Sequence, residues 1–268
     1  MSDVLVLGST GTTGSRVVRG LHDAGVRARE ATRNPVKPGQ IRFDWDDPAT
    51  YGPALDGVSA VYLIAPVAAD PQPLVEEFLR HAPGARVVLL SSSSVDEHTP
   101  VIGGLPGLVR REPGWTVLRP SWFMQNFTAG NLVGDSARAG RIVTATGDAR
   151  VAFVDAGDIA AVAVRALLDP EPHNTDHLLT GPRALSYAEA AEIVGKQLGR
   201  PVVHEPVSTL DYQRFLVRDG LPEDYAEMLA LLDEAIRGGA EDRVTDTVER
   251  VAGRPARDFR TFAKEEIR

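Results

Sequence analysis

Short, mostly apolar runs stand at residues 4–7, 58–66, 87–90 and 115–120, the first with no polar alternation, and most are followed by segments whose apolar positions recur every three or four residues. Runs of this length predict strands covered on both faces, as in a parallel sheet, and the longer period predicts helices laid against those faces. Val17, Val18, Leu21 and Ala24 mark the first helix, which Gly25 stops, and residues 26–32 predict the next strand. A short strand precedes Asp44, and a helix opens at Pro48 with Asp47 as its candidate cap. Leu74, Val75, Phe78 and Leu79 share one face of a helix over 71–82, whereas the Gly- and Pro-rich stretch 103–114 predicts at most a brief helix.

Beyond residue 120 the pattern loosens. Residues 151–154 predict a strand returning to the sheet, and Asp155 predicts the cap of a helix through Leu168 with Ile159, Val162, Ala163 and Ala166 inward. Asp158, in the first turn of that helix, reads as a structural residue favoured by the helix dipole. Further strands are expected at 178–181 and 202–203, and Ser186 with Glu189 predicts a capping box. After 208 the chain reads as helical and acidic, with Leu229, Leu232 and Ile236 inward, a break at Gly238-Gly239, and helices over 244–251 and 257–267.

The first strand runs into Gly8-Ser9-Thr10-Gly11-Thr12-Thr13-Gly14. Glycines there let the backbone turn sharply beside a bulky anion, and the N-terminus of the following helix attracts its charge. A dinucleotide pyrophosphate is the natural guest. The spacing is G-x-x-G-x-x-G rather than G-x-G-x-x-G, so the strand-before, helix-after context carries the inference. Thr10, Thr12 and Thr13 add hydroxyls that cap N–H groups or meet phosphate oxygens. At the end of the second strand a carboxylate selects NAD and an arginine selects NADP. Arg33 stands at that end and Glu30 three residues earlier, inside the strand, which favours NADP(H); the alternative for Arg33 is a solvated loop charge.

Other candidates fit two readings each. Asp44 and Trp45 stand where the adenine would lie, as acceptor and stacking ring; the alternative is that Asp47 caps the helix and Trp45 is simply core. Ile64, Ala65 and Pro66 end the fourth strand toward the ribose and nicotinamide. Ser91, Ser92 and Ser93 follow the fifth strand, Ser91 beside the cofactor and Ser92 and Ser93 where a reacting carbonyl or imine would lie, or else they form a polar stop. His98 is the best-placed histidine for proton delivery, or a solvated loop side chain. Trp122, Phe123, Gln125 and Asn126 would wall and orient a flat substrate, or pack the core.

Composition narrows the classes. The formal charge is −8 over 268 residues, which disfavours nucleic acid as a partner. There is no cysteine, hence no disulfide, thiolate nucleophile or Cys-ligated metal, and no metal site is expected. No apolar run reaches membrane-spanning length and the first strand begins by residue 4, so the expectation is a cytoplasmic protein without signal peptide or membrane contact.

The glycine loop, Arg33-Asn34-Pro35, Arg42-Phe43-Asp44-Trp45, Val61-Tyr62-Leu63-Ile64-Ala65-Pro66, the serine run, 115–127 and 153–160 together resemble the NmrA-like atypical short-chain dehydrogenase/reductases. Within that group they are most similar to bacterial quinone reductases and to ergot-alkaloid imine reductases of the festuclavine/agroclavine dehydrogenase type. The likeness spans about residues 1–205. It implies an α/β fold, a Rossmann-type doubly wound parallel sheet with NADP(H) over 1–155, and a smaller, mostly helical substrate part over 156–268, interleaved rather than separately folding.

One departure bears on mechanism. Typical short-chain dehydrogenases use Tyr-x-x-x-Lys, but the tyrosines are 51, 62, 187, 212 and 225, the lysines are 37, 196 and 264, and no such pair exists. Arg110 and Arg111 stand where some NmrA-like reductases carry a lysine, and arginine cannot act as a base. The acceptor expected is therefore one needing little acid help, such as a quinone or an imine/iminium, reduced by NADPH in a monomer or homodimer. The competing expectations are a non-catalytic NADP(H)-binding redox sensor of the NmrA type and a biosynthetic ketoreductase.

Overall fold

The computed structural model describes residues 3–268. In chain order the first elements are β1 (Asp3–Val6), α1 (Gly14–Asp23), β2 (Ala28–Thr32), β3 (Gln40–Arg42), a 3₁₀ turn (Pro48–Thr50), α2 (Tyr51–Leu55), β4 (Val58–Leu63), α3 (Gln72–Arg80), β5 (Arg86–Leu90), α4 (Leu105–Val109) and β6 (Trp115–Pro120). A second 3₁₀ turn (Met124–Phe127), α5 (Leu132–Arg138), β7 (Arg141–Thr144) and β8 (Arg150–Val151) follow, then α6 (Ala156–Leu168) and β9 (Thr175–Leu179). The remainder is β10 (Leu185–Ser186), α7 (Tyr187–Leu198), β11 (Val203–Pro206), α8 (Thr209–Arg218), α9 (Glu223–Arg237), α10 (Thr247–Ala252) and α11 (Phe259–Glu266).

Residue contacts group the described residues into two units: a first made of 3–120, 156–179 and 247–254, and a second made of 121–155, 180–246 and 255–268. The first holds a seven-stranded sheet ordered β3-β2-β1-β4-β5-β6-β9, every pair parallel. Strand order reverses between β1 and β4, which leaves a crevice at the carboxyl ends of those strands. One face buries Leu5, Leu7, Val61, Leu63, Val87 and Leu89 against Phe78, Leu79, Leu105 and Val109 of α3 and α4. On this sheet α6 lies beside α1, so close that a Cβ on Gly20 would stand 2.9 Å from Val164 Cγ2. Covering both faces explains why the central strands read as unbroken apolar runs. Tyr62, fully buried in β4, is the one described residue whose sealed side-chain polar atom has no hydrogen-bond partner; Thr13 lies beside it without hydrogen-bond geometry.

At the outer strand, His177 is buried and hydrogen-bonds His173 at 2.9 Å, which contacts Asp169 at 3.0 Å. Burial, with the charges of His173 and Arg250, pushes His177 down to about 4. Asp158 is 1% exposed and held by Arg254 at 2.6 Å, in keeping with a structural role.

The second unit carries two small sheets, β10 antiparallel to β8 and β11 parallel to β7. Residues 151–154 do not rejoin the large sheet: Val151 pairs with Leu185, and Val154 bridges Phe123. The apolar run misleads because it is enclosed within its own core of Phe127, Phe153, Tyr187 and Phe259, and not because it lies in a parallel sheet. The capping box of α7 forms as expected, Ser186 accepting from the Glu189 N–H and Glu189 from the Ser186 N–H. Asp47 does not cap the helix after it, because its carboxylate is taken by Arg42 at 3.1 Å; Thr50 Oγ1 instead donates to the Asp47 carbonyl. Leu229 and Leu232 are only half-buried, and α9 turns Ala226, Ala230, Asp233 and Ile236 inward.

Candidate functional site

In the first unit the crevice beside β1 opens as a cleft of about 550 Å³. Its walls include Gly8, Thr10, Thr32, Arg33, Asn34, Asp44, Trp45, Ile64, Ala65 and Pro66. Gly8 has φ +60°, a conformation costly for any residue with a Cβ, and its own Cβ would meet Ile64 Cδ1 at 2.8 Å. The Gly11 N–H donates to the Gly8 carbonyl at 2.9 Å, closing the turn. Gly14 begins α1 so close beneath it that a Cβ there would stand 2.1 Å from the Gly8 oxygen. Ser9 ties the loop to β2 by donating to the Ala31 carbonyl at 3.1 Å.

Thr10 and Thr12 are exposed on this turn, and their N–H groups meet no protein acceptor among the described residues; Thr13 is buried at the N-cap of α1, its side chain making no capping bond. A rigid turn with unspent N–H donors at a helix N-terminus is the chemistry that holds a phosphate. The residues present therefore fit a pyrophosphate.

The cleft separates the two candidates at the end of β2. Glu30 is buried and paired with Lys37 Nζ at 3.1 Å, and it does not line the cleft. Arg33 lines the cleft, exposed, with no hydrogen bond or ion pair among the described residues. Thr32 and Asn34 share the wall; Asn34 belongs to the Arg33-Asn34-Pro35 motif, whereas Thr32 had no role assigned from the sequence. The Trp45 indole packs on Phe43, Tyr51 and Phe78 at centroid distances of 5.0, 5.8 and 5.3 Å and also forms cleft wall. Asp44 accepts from the Asp46 N–H at 3.2 Å, which fixes its carboxylate in the loop.

The serine run lies outside this cleft. Ser91 N–H donates to Leu118 and Ser93 N–H to Pro120, continuing the sheet, while Ser92 Oγ is 2.9 Å from Ser94 Oγ. The His98 side chain is 86% exposed, 3.6 Å from Glu97, and also outside the cleft.

In the second unit Trp122, Phe123 and Asn126 are half-buried and Gln125 is buried. Gln125 Nε2 donates to Asp155 at 3.0 Å, and Arg257 clamps the same carboxylate at 2.8 Å. Met124 and Phe127 are the fully buried members of the segment, and Trp122 packs against the same core. Among the described residues no three metal-ligating side chains cluster, and no helix is long and apolar enough to cross a membrane.

The sheet order and the glycine turn define a Rossmann-type α/β protein. The NmrA-like family matches residues 112–263. The chain is 49% identical to the uncharacterized oxidoreductase YesF of Bacillus subtilis, over 97% of this chain and 93% of that protein. It is 34% identical to agroclavine dehydrogenase of Claviceps fusiformis, over 98% and 96% of the two chains. Its fold is shared with an NADPH-dependent quinone oxidoreductase of Escherichia coli in complex with NADPH, at TM-score 0.84 and 23% identity over 97% and 98%. The chain belongs to the NmrA-like family, as an oxidoreductase.

Proposed function

We propose that this protein binds NADPH along the glycine-loop cleft and reduces a small conjugated or cyclic acceptor, a quinone or an imine/iminium, without a Tyr-x-x-x-Lys dyad. The observation that carries the cofactor assignment is the contrast at the end of β2. Arg33 presents an unpaired guanidinium to the cleft, while the carboxylate that would hold a ribose 2′-hydroxyl is buried and neutralised by Lys37. A guanidinium complements a 2′-phosphate, for which a carboxylate would be repulsive.

NADPH, when bound, supplies the hydride. The Gly8–Gly14 turn holds the pyrophosphate with the N–H groups of Thr10 and Thr12, and Asp44 and Trp45 take the adenine. Ile64, Ala65 and Pro66 bound the ribose side, with Ser91 at the end of the neighbouring strand β5. Within the second unit, Trp122, Phe123 and Asn126 are the side chains available to contact an acceptor, and Asp155 orients Gln125. Neither Ser92, engaged with Ser94, nor His98, turned to solvent, is positioned as an acid in this structure, which supports an acceptor that needs little protonation help. The agroclavine dehydrogenase and quinone oxidoreductase likenesses support the same acceptor classes.

Calorimetric titration with NADPH and NADH tests the cofactor, and NADPH consumption with a panel of quinones and cyclic imines tests the reaction. A hydrogen-bonded charge pair is worth about 1.5–3 kcal/mol, and exposure lowers that to about 1–2 kcal/mol. Arg33→Ala should therefore weaken NADPH about 5- to 30-fold and leave NADH unchanged. Equal loss for both nucleotides would remove Arg33 from the assignment, and absence of turnover with every acceptor would count against a reductase.

A further inference from the structure

Eleven large apolar side chains are exposed among the described residues, and five of them stand on α8 and α9: Leu210, Val217, Tyr225, Met228 and Leu231. Single exposures scattered over a surface are ordinary, whereas a concentration on two adjoining helices marks a contact surface. The helices pack on each other as a hairpin, α8 ending at Arg218 and α9 beginning at Glu223. Tyr212 and Leu216 of α8 and Ala226 and Ala230 of α9 enter one core with Val143 and Ala145. At about 100° per residue, Leu210 and Val217 lie opposite the first pair, and Met228 and Leu231 opposite the second. Both outward faces therefore look away from the same core and make one surface, on which Leu210, Met228 and Leu231 are 53%, 44% and 56% exposed.

That surface is charged in halves. On α8, Arg214 and Arg218 flank Val217; Arg214 is 3.4 Å from Asp211, while Arg218 stands 5.7 Å from the Phe215 ring centroid and forms no ion pair among the described residues. On α9, Asp224 stands one turn before Met228, and Glu227 and Glu234 one turn either side of Leu231. These three carboxylates are exposed and form no ion pair among the described residues.

We propose that this face is the interface of a homodimer, in which a two-fold axis brings two hairpins together with α8 of each protomer against α9 of its partner. Isologous contact lets one surface serve both copies. Placing α8 on α9 sets guanidiniums against carboxylates twice, whereas α9 on α9 would set carboxylates against one another. A second copy is the occupant that presents both halves of this match. At a formal charge of −8, two copies repel wherever opposite charges do not meet, which selects this contact over others. Helices of 10 and 15 residues, about 15 and 22 Å long and together about 20 Å wide, outline a face on the order of 400 Å². A standard interface takes about 800 Å² from each partner, so this dimer is a reversible one, with Kd about 10–100 µM. Its formation is independent of NADPH binding in the first unit.

The test is sedimentation velocity on the intact protein from about 1 to about 300 µM, a range that brackets that Kd. The wild type should move from the 28.8 kDa of one chain toward twice that mass as concentration rises. Met228→Gln with Leu231→Gln removes exposed apolar contact without adding charge, and should weaken association at least about tenfold while leaving Tm unchanged. Arg214→Glu with Arg218→Glu, and separately Glu227→Arg with Glu234→Arg, should each hold its own copies apart at concentrations where the wild type pairs. In the mixed pair every α8–α9 contact again joins opposite charges, so an equimolar mixture of these two variants should return the dimer to within about threefold of the wild-type affinity. Misfolding of either variant cannot produce that rescue. A wild type monomeric across the whole range, a dimer indifferent to the glutamine substitutions, or a mixture that stays monomeric would overturn the assignment.

Discussion

Gly14→Ala tests whether the glycine turn is as tightly closed as its geometry requires. The added methyl would sit 2.1 Å from the Gly8 oxygen, 2.7 Å from its carbonyl carbon and 3.1 Å from Ser9 Cα, all backbone atoms. An ordinary carbon–oxygen contact is roughly 3.3 Å, so loop and helix must separate by roughly 1 Å. Overpacking costs about 1–3 kcal/mol where side chains can yield, and no side chain is involved here, which places the cost at or above the upper end. Alanine's better helix propensity returns about 1 kcal/mol in the opposite direction. Gly107→Ala in α4 isolates that second effect, since nothing lies within 4 Å of its Cβ position. At about 2–4 °C per kcal/mol for a chain of this size, Gly14→Ala should lower Tm by about 5–10 °C, and Gly107→Ala should leave Tm unchanged or raise it slightly. Calorimetric titration should show NADPH at least about tenfold weaker in the first variant only, about 1.4 kcal/mol. Wild-type Tm and Kd in Gly14→Ala would refute the closed turn as the seat of binding.

Three further outcomes follow from buried polar groups and caps. Tyr62→Phe removes a sealed hydroxyl with no partner and should stabilise by about 1 kcal/mol, read as a rise in Tm. Ser186→Ala removes the cap that α7 depends on and should cost about 1 kcal/mol by denaturant titration. His177 is held below its ordinary value in the folded protein, so the folded state binds fewer protons than the unfolded one. Stability is thus full above about pH 6.5 and is lost as pH falls toward 4, by up to about 3 kcal/mol; His177→Gln should flatten that part of a Tm-against-pH curve.

The first unit was legible where local chemistry and the fold coincide. Strands covered on both faces announce themselves as apolar runs, and a glycine turn between strand and helix has few other uses. The seventh strand was harder because β9 begins Thr-Asp-His, the polar mixture an outermost strand tolerates, and only Leu178 and Leu179 stood out. The second unit was poorly legible because its strands are two to four residues long, too short for any period to register. Thus β7 and α5 had no expectation at all, and 151–154 was assigned to the wrong sheet. Position after β2 is enough to bring Arg33 to the cleft wall, but the contrast with Glu30 needed the Lys37 contact, which composition alone does not reveal. Asp233 was passed over as one more charge on an acidic helix. Its spacing from Ala226, Ala230 and Ile236 was the available signal, since three small or apolar residues at helical intervals carry the fourth inward with them.

The chain passes from one unit to the other five times, after residues 120, 155, 179, 246 and 254. No single cut of the gene therefore yields either half. An expression fragment ending at 155 would forfeit β9 and α6 from the large sheet, and exchanging the second unit with that of a relative would mean grafting three separate stretches together. Diversification of such a protein is expected to proceed by point changes and loop lengths in place, with wholesale recombination of modules excluded by the way the polypeptide is threaded.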